Sequence, residues 1–121
     1  MARQQVVAVY RLFEPAAMQK DFVLKGQLTR SAVSVMSNIA EGFERTGLKE
    51  KSHFYNIAPA SNGEVRSLLY VVADVYPAQS ETAAQIQIRT VNTGKLISRL
   101  IRSTAQRSIS SPADDRQQNA H

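Results

Sequence analysis

The stretch KGQLTRSAVSVMSNIAEGFE, residues 25–44, decides the fold. Leu28, Ala32, Val35, Met36, Ile39, Ala40 and Phe43 recur in it at three- and four-residue steps. Gln27, Arg30, Ser34, Ser37, Glu41 and Glu44 fall on the other side. That period belongs to a helix with one apolar face, not to the alternation of a strand. Gly42 lies near its end, Gly47 supplies a break, and Thr46 is a candidate cap for the next helix.

The same period continues over residues 48–75 through Phe54, Ile57, Ala58, Ser61, Val65, Leu68, Leu69, Val72 and Val75. Pro59 and Gly63 sit inside it. A mid-helix proline costs about 3 kcal/mol and removes one backbone hydrogen bond. The period is unchanged on either side of Pro59, so one kinked helix is expected rather than two. It closes before Tyr76-Pro77, because the residue ahead of a proline avoids helical geometry. Upstream, Val6, Val9, Tyr10, Phe13 and Ala17 predict a helix over about residues 3–18, ended or kinked by Pro15. Downstream, Ser80 is the expected cap and Glu81 favours the first turn of a helix reaching about residue 107. Ala84, Ile88, Val91, Leu96, Ile97, Leu100, Ile101 and Thr104 are its expected inner face. Residues 108–121 are rich in Ser, Asp, Gln and Asn and read as a disordered tail. The expectation is an all-α protein, an antiparallel up-down-up-down four-helix bundle over residues 1–107.

Composition fits one domain: 121 residues, 43% of them hydrophobic. With no cysteine, disulfides, thiolate zinc sites and cysteine nucleophiles are excluded. The N-terminus has no long apolar run of the signal-peptide kind. No apolar run approaches the ~20 residues a membrane span needs. A cytoplasmic protein without a membrane partner is expected.

Two blocks carry a resemblance. SAVSVMSNIAEGFER (31–45) is similar to the signature of the "four helix bundle protein" family, also called ribosomal-RNA intervening-sequence proteins. Phe54 to Ala58, Ser61, Gly63 to Ser67 and Leu69-Tyr70 resemble that family's third helix, in the same order and spacing. The resemblance implies a four-helix bundle assembled as a homopentamer. It also implies a distant likeness to the basic accessory variability protein of diversity-generating retroelements, which works with a reverse transcriptase and nucleic acid. Pro59-Ala60 departs from the Lys-Gly pair usual there, and the first helix is shorter than in many members.

Chemistry is sparse. Glu41 and Arg45 stand four apart, the favourable order for a helical ion pair. With Arg30, Ser37 and Asn38 they form a polar patch, and Glu64 and Arg66 are candidate partners from the next helix. Such a patch either binds a ligand or fixes helix register and subunit contacts. The second role is favoured, because unpaired buried polar groups cost about 1–3 kcal/mol and are normally satisfied internally. Glu50-Lys-Ser-His53 has the Glu-x-x-His spacing of bundle metal sites, but only once, and the other histidine is His121. Serines are plentiful but bases are few, and nothing Gly-rich resembles a phosphate loop. No enzyme, metal or cofactor is expected.

Charge is the clearest signal. Fifteen Lys and Arg oppose ten Asp and Glu, for a net +5. Between Thr82 and Ala113 there is no acid, while Arg89, Lys95, Arg99, Arg102 and Arg107 all fall there. Lys95, Arg99 and Arg102 make one stripe at i, i+4 and i+7, and Arg89 and Arg107 project about a third of a turn away. The stripe is either a solvated face that offsets the helix dipole or a phosphate-contacting ridge for RNA or DNA. With little aromatic interleaving, binding to nucleic acid would not depend strongly on sequence. The alternative is a protein-binding scaffold, for a reverse transcriptase or ribosome-associated factor, without direct nucleic-acid contact.

Overall fold

The computed structural model describes residues 1–110. Its elements are α1 (Ala2–Leu12), α2 (Ala16–Gln19), α3 (Phe22–Glu44), α4 (Leu48–Val75), a 3-10 turn (Pro77–Gln79) and α5 (Ser80–Ser110). There is no strand among the described residues. The helix expected over 48–75 is a single helix with Pro59 inside it. Pro59 offers no N–H to the Tyr55 carbonyl, and the apolar face on both sides keeps the helix whole. Its cap is Gly47 rather than Thr46.

The other boundaries move. The predicted first helix divides, because Pro15 ends up as the extended cap of the four-residue α2, not inside a helix. The helix expected from residue 25 begins at Phe22, where the Asp21 carboxylate accepts from the Leu24 N–H at 3.1 Å. α5 runs to Ser110, beyond the expected end at 107. The rest of the predicted tail, residues 111–121, lies outside the described residues.

Asp21 also ties two elements together. Its second oxygen accepts from the Tyr76 hydroxyl at 2.7 Å, joining the start of α3 to the end of α4. The Tyr76 bond first, and then the Leu24 N–H, holds the Asp21 carboxyl below the usual carboxylate range. A carboxyl depressed in the folded state contributes stability fully above its unfolded pKa and loses it as pH falls through the folded value. Tyr76→Phe should therefore narrow the gap in thermal midpoint between about pH 6 and about pH 2. An unchanged gap would show that this bond contributes nothing to acid stability.

The end of α3 is closed differently. Its cap Arg45 is extended, and no described residue has positive φ. Instead the Lys51 ammonium reaches back from α4 and donates to the Gly42 carbonyl at 2.9 Å and the Phe43 carbonyl at 3.4 Å. These are two of the acceptors that a helix C-terminus leaves without partners.

The core has two apolar parts with a polar layer between them. The larger contains Val9, Leu12 and Phe13, then Leu24, Leu28 and Ala32, Val65, Leu69 and Val72, and Ala83 and Ile86. The smaller contains Val35, Ile39, Ala58 and Ile97. Between them lie Gln5, Asn62, Thr90 and Thr93, all buried. Gln5 Nε2 donates to Asn62 Oδ1 at 3.1 Å, and the Thr93 hydroxyl donates to Gln5 Oε1 at 3.0 Å. Asn62 Nδ2 donates to the Thr90 carbonyl at 2.9 Å. One chain of hydrogen bonds thus fastens α1, α4 and α5 at a common level.

This layer corrects the expected inner face of α5. Ala84, Ile88 and Val91 point outward, with Ile88 63% and Val91 44% exposed. Ala83, Ile86, Thr90, Thr93 and Ile97 point inward. Leu96, Leu100 and Ile101 are partly buried and Thr104 is buried, so the expectation holds only in the second half of the helix. On α3, Phe43 and Ala40 are exposed where burial was expected, and Gly42 is buried in their place. Of the aromatic residues, Phe13 is buried and Tyr76 partly buried, whereas Tyr10 and Tyr70 stay exposed.

Candidate functional site

α5 carries the basic stripe because its outward positions alternate three and four residues apart along a 31-residue helix. Lys95, Arg99 and Arg102 are exposed and line one groove of about 610 Å³ between α4 and α5. Across that groove stands Arg66 from α4, with Pro59 two turns before it on the same helix. No Asp or Glu is among its lining residues. Its floor includes Asn62 and Gly94, so the polar layer reaches the base of the groove. Four cations with no lining acid give the groove a positive potential.

The remaining basic residues of α5 go elsewhere. Arg89 lies on the opposite flank, in a second groove of about 820 Å³ between α1 and α5. Arg3 and Arg11 of α1 line the same groove, above Ala8, Leu12 and Ile86. This groove too has no lining acid. Arg107 lies near Tyr55, whose phenol is pushed up by burial and drawn back by the Arg107 charge. α5 is therefore a ridge between two basic troughs. The sequence singled out its stripe, but not the contributions of Arg66, Arg3 and Arg11. Those residues are far away along the chain, and only the helix packing brings them to α5.

The polar patch is dispersed. Arg45 and Glu41 pair at 2.6 Å on an exposed surface, as their spacing suggests. Solvent screens such an exposed i,i+4 pair, so it contributes little to stability. The Arg45 guanidinium also lies over the Phe54 ring, 5.1 Å from its centre. Glu64 accepts from Ser31 at 2.7 Å, and Ser34 and Ser61 hydroxyls meet at 2.8 Å. Asn38 donates to the Ser34 carbonyl at 2.8 Å. The Ser31–Glu64 and Ser34–Ser61 bonds pair α3 with α4, whereas the Asn38 bond stays within α3, and Arg30 lines the same α3–α4 groove as Glu64. Ser37 is exposed on α3. Arg66 does not meet Glu41 or Arg45, because it belongs to the α4–α5 groove.

Glu50 and His53 share a shallow surface pocket with Arg45, Lys49 and Phe54. The His53 ring meets Phe54 edge-on at 5.1 Å. Among the described residues no three His, Asp or Glu side chains gather in a way that could hold a metal ion. No helix among them is long and apolar enough to cross a membrane.

An all-α chain with a long basic ridge is the class these features define. The family profile described as 23S rRNA-intervening sequence protein matches residues 1–99, and the chain belongs to that family. No curated protein and no solved structure matches it.

Proposed function

We propose that this chain is a non-enzymatic, cytoplasmic nucleic-acid-binding protein that holds phosphate groups along the α4–α5 groove. Convergence of Arg66 with Lys95, Arg99 and Arg102 around one acid-free groove carries the reading. Like charges gathered this way repel one another unless an anion lies among them. Four neutralised phosphates give a salt slope of about −3 to −4, a loss of roughly a hundredfold between about 50 and 200 mM salt. Lys95→Glu, Arg99→Glu and Arg102→Glu together should abolish binding while leaving the helical circular-dichroism spectrum unchanged. A folded triple variant that binds RNA and DNA like the parent would overturn the proposal.

The scaffold proposed for this groove is an antiparallel up-down-up-down four-helix bundle. Three pairings support it: Ser31 with Glu64, Ser34 with Ser61, and Asp21 with Tyr76, whose numbers rise on α3 as they fall on α4. The chain is further proposed to be a homo-oligomer, a pentamer by its family resemblance. The supporting observation is apolar exposure at one end of the α3–α4 pair. Phe22 and Val23, each 74% exposed, begin α3, and the exposed Tyr70, Val71 and Val75 lie near the end of α4. Val71→Asp with Val75→Asp should reduce the mass seen by light scattering to that of one chain. A parent protein that is already monomeric overturns the assembly. The same surface favours the second reading, a protein scaffold, and a partner retained on the chain after nuclease treatment would distinguish it.

A further inference from the structure

Two basic troughs flank α5, and what they select together rests on the nucleic-acid reading above. One trough has Lys95, Arg99 and Arg102 with Arg66 facing them from α4, and the other has Arg89 with Arg3 and Arg11 on α1. The outer line of α5 runs through Gln85, Ile88, Asn92, Lys95 and Arg99, all exposed, its first three residues bordering the α1 trough and its last two belonging to the α4 trough. Those positions alternate three and four apart, so they form one crest ~21 Å long.

A flat anionic surface would use one bank of cations. A single strand has one phosphate row and needs one trough. The two banks lie on opposite flanks of α5 and are staggered along it, the α1 trough beside residues 82–92 and the α4 trough beside residues 91–102, which suits two phosphate rows with a space between them. A helix with its side chains is ~10–12 Å across, and the major groove of B-form DNA is ~12 Å wide. The deep, narrow major groove of A-form RNA does not admit a helix. Ile88 at the crest, 63% exposed, has an apolar side chain that fits against thymine methyl groups on the groove floor. We infer that the preferred partner is double-stranded DNA, with the crest of α5 in the major groove and each flanking trough on one phosphate strand. Affinity then comes chiefly from the phosphates and depends little on sequence.

The test compares fluorescence-anisotropy titrations of the full chain with a mixed-sequence DNA duplex, the matching RNA duplex and either single DNA strand. The DNA duplex should bind at least about tenfold more tightly than the others, about 1.4 kcal/mol. Arg3→Glu with Arg11→Glu alters only the α1 bank, on exposed positions outside the stripe. It should remove that duplex preference while the circular-dichroism spectrum stays helical. Equal or tighter binding to RNA duplex or single strands overturns the inference and leaves the proposed function standing. So does an Arg3/Arg11 variant that keeps the full preference. No binding to any of the three probes overturns both.

Discussion

Gly42→Ala will destabilise the protein by about 1–3 kcal/mol, although the same substitution in an exposed helix interior stabilises by up to about 1 kcal/mol. A Cβ built on Gly42 overlaps the Tyr55 ring, meeting its Cε1 directly and its Cζ at 2.7 Å. That ring has little room to retreat. Tyr55 is buried, and Phe43 packs edge-on to it at 6.1 Å between centres. Gly63 is the internal control, since a Cβ there meets nothing within 4 Å. Gly63→Ala should raise the urea midpoint and Gly42→Ala should lower it. A Gly42→Ala midpoint that rises as the Gly63→Ala one does would mean that α3 and α4 do not approach this closely in solution.

Asn62→Ala should cost about 2–3 kcal/mol, mostly through what it strands. Gln5 Nε2 loses its acceptor while staying buried, and the Thr93 hydroxyl is left bonded to a less constrained amide. Removing the whole layer differs from removing one member. Gln5→Leu, Asn62→Leu and Thr93→Val together replace the network with apolar groups of similar size. Such exchanges are often neutral or stabilising. The triple variant should recover most of the lost stability in denaturant titrations. If it is less stable than Asn62→Ala alone, the layer contributes more than the satisfaction of its own hydrogen bonds.

The legible and illegible parts of this chain differ for a physical reason. The bounds of α4 are readable to the residue because Tyr76-Pro77 stops it firmly, but its expected face is corrected at four positions: Ile57 and Val75 are exposed, while Tyr55 and Asn62 are buried. The N-terminal half of α5 misleads because its chemistry is inverted. Thr90 and Thr93 face the core, satisfied by or beside hydrogen bonds from α1 and α4, while Ile88 and Val91 face outward. Hydrophobic period cannot find a helix face whose buried members are polar. Gln5 escapes notice for the same cause. At the candidate site, the period places Lys95, Arg99 and Arg102 together, since one helix suffices for that. Arg66, Arg3 and Arg11 depend on which helices flank α5, a property of packing that no local spacing encodes. The size of Phe43 suggests an inward position, but Gly42 takes that position, where Tyr55 leaves no room for a side chain.

The polar layer also divides the molecule mechanically. Above it, α1 closes the larger apolar cluster with Val9, Leu12 and Phe13. Below it, α1 contributes Ala2 to the edge of the smaller cluster, while α5 continues to Ser110. Parting the lower turns of α5 from α4 exposes a few aliphatic side chains and breaks none of the bonds among Gln5, Asn62 and Thr93. Such openings need much less free energy than global unfolding. The layer acts as a firebreak: the basic end of α5 can peel away and reseat while the upper core stays shut.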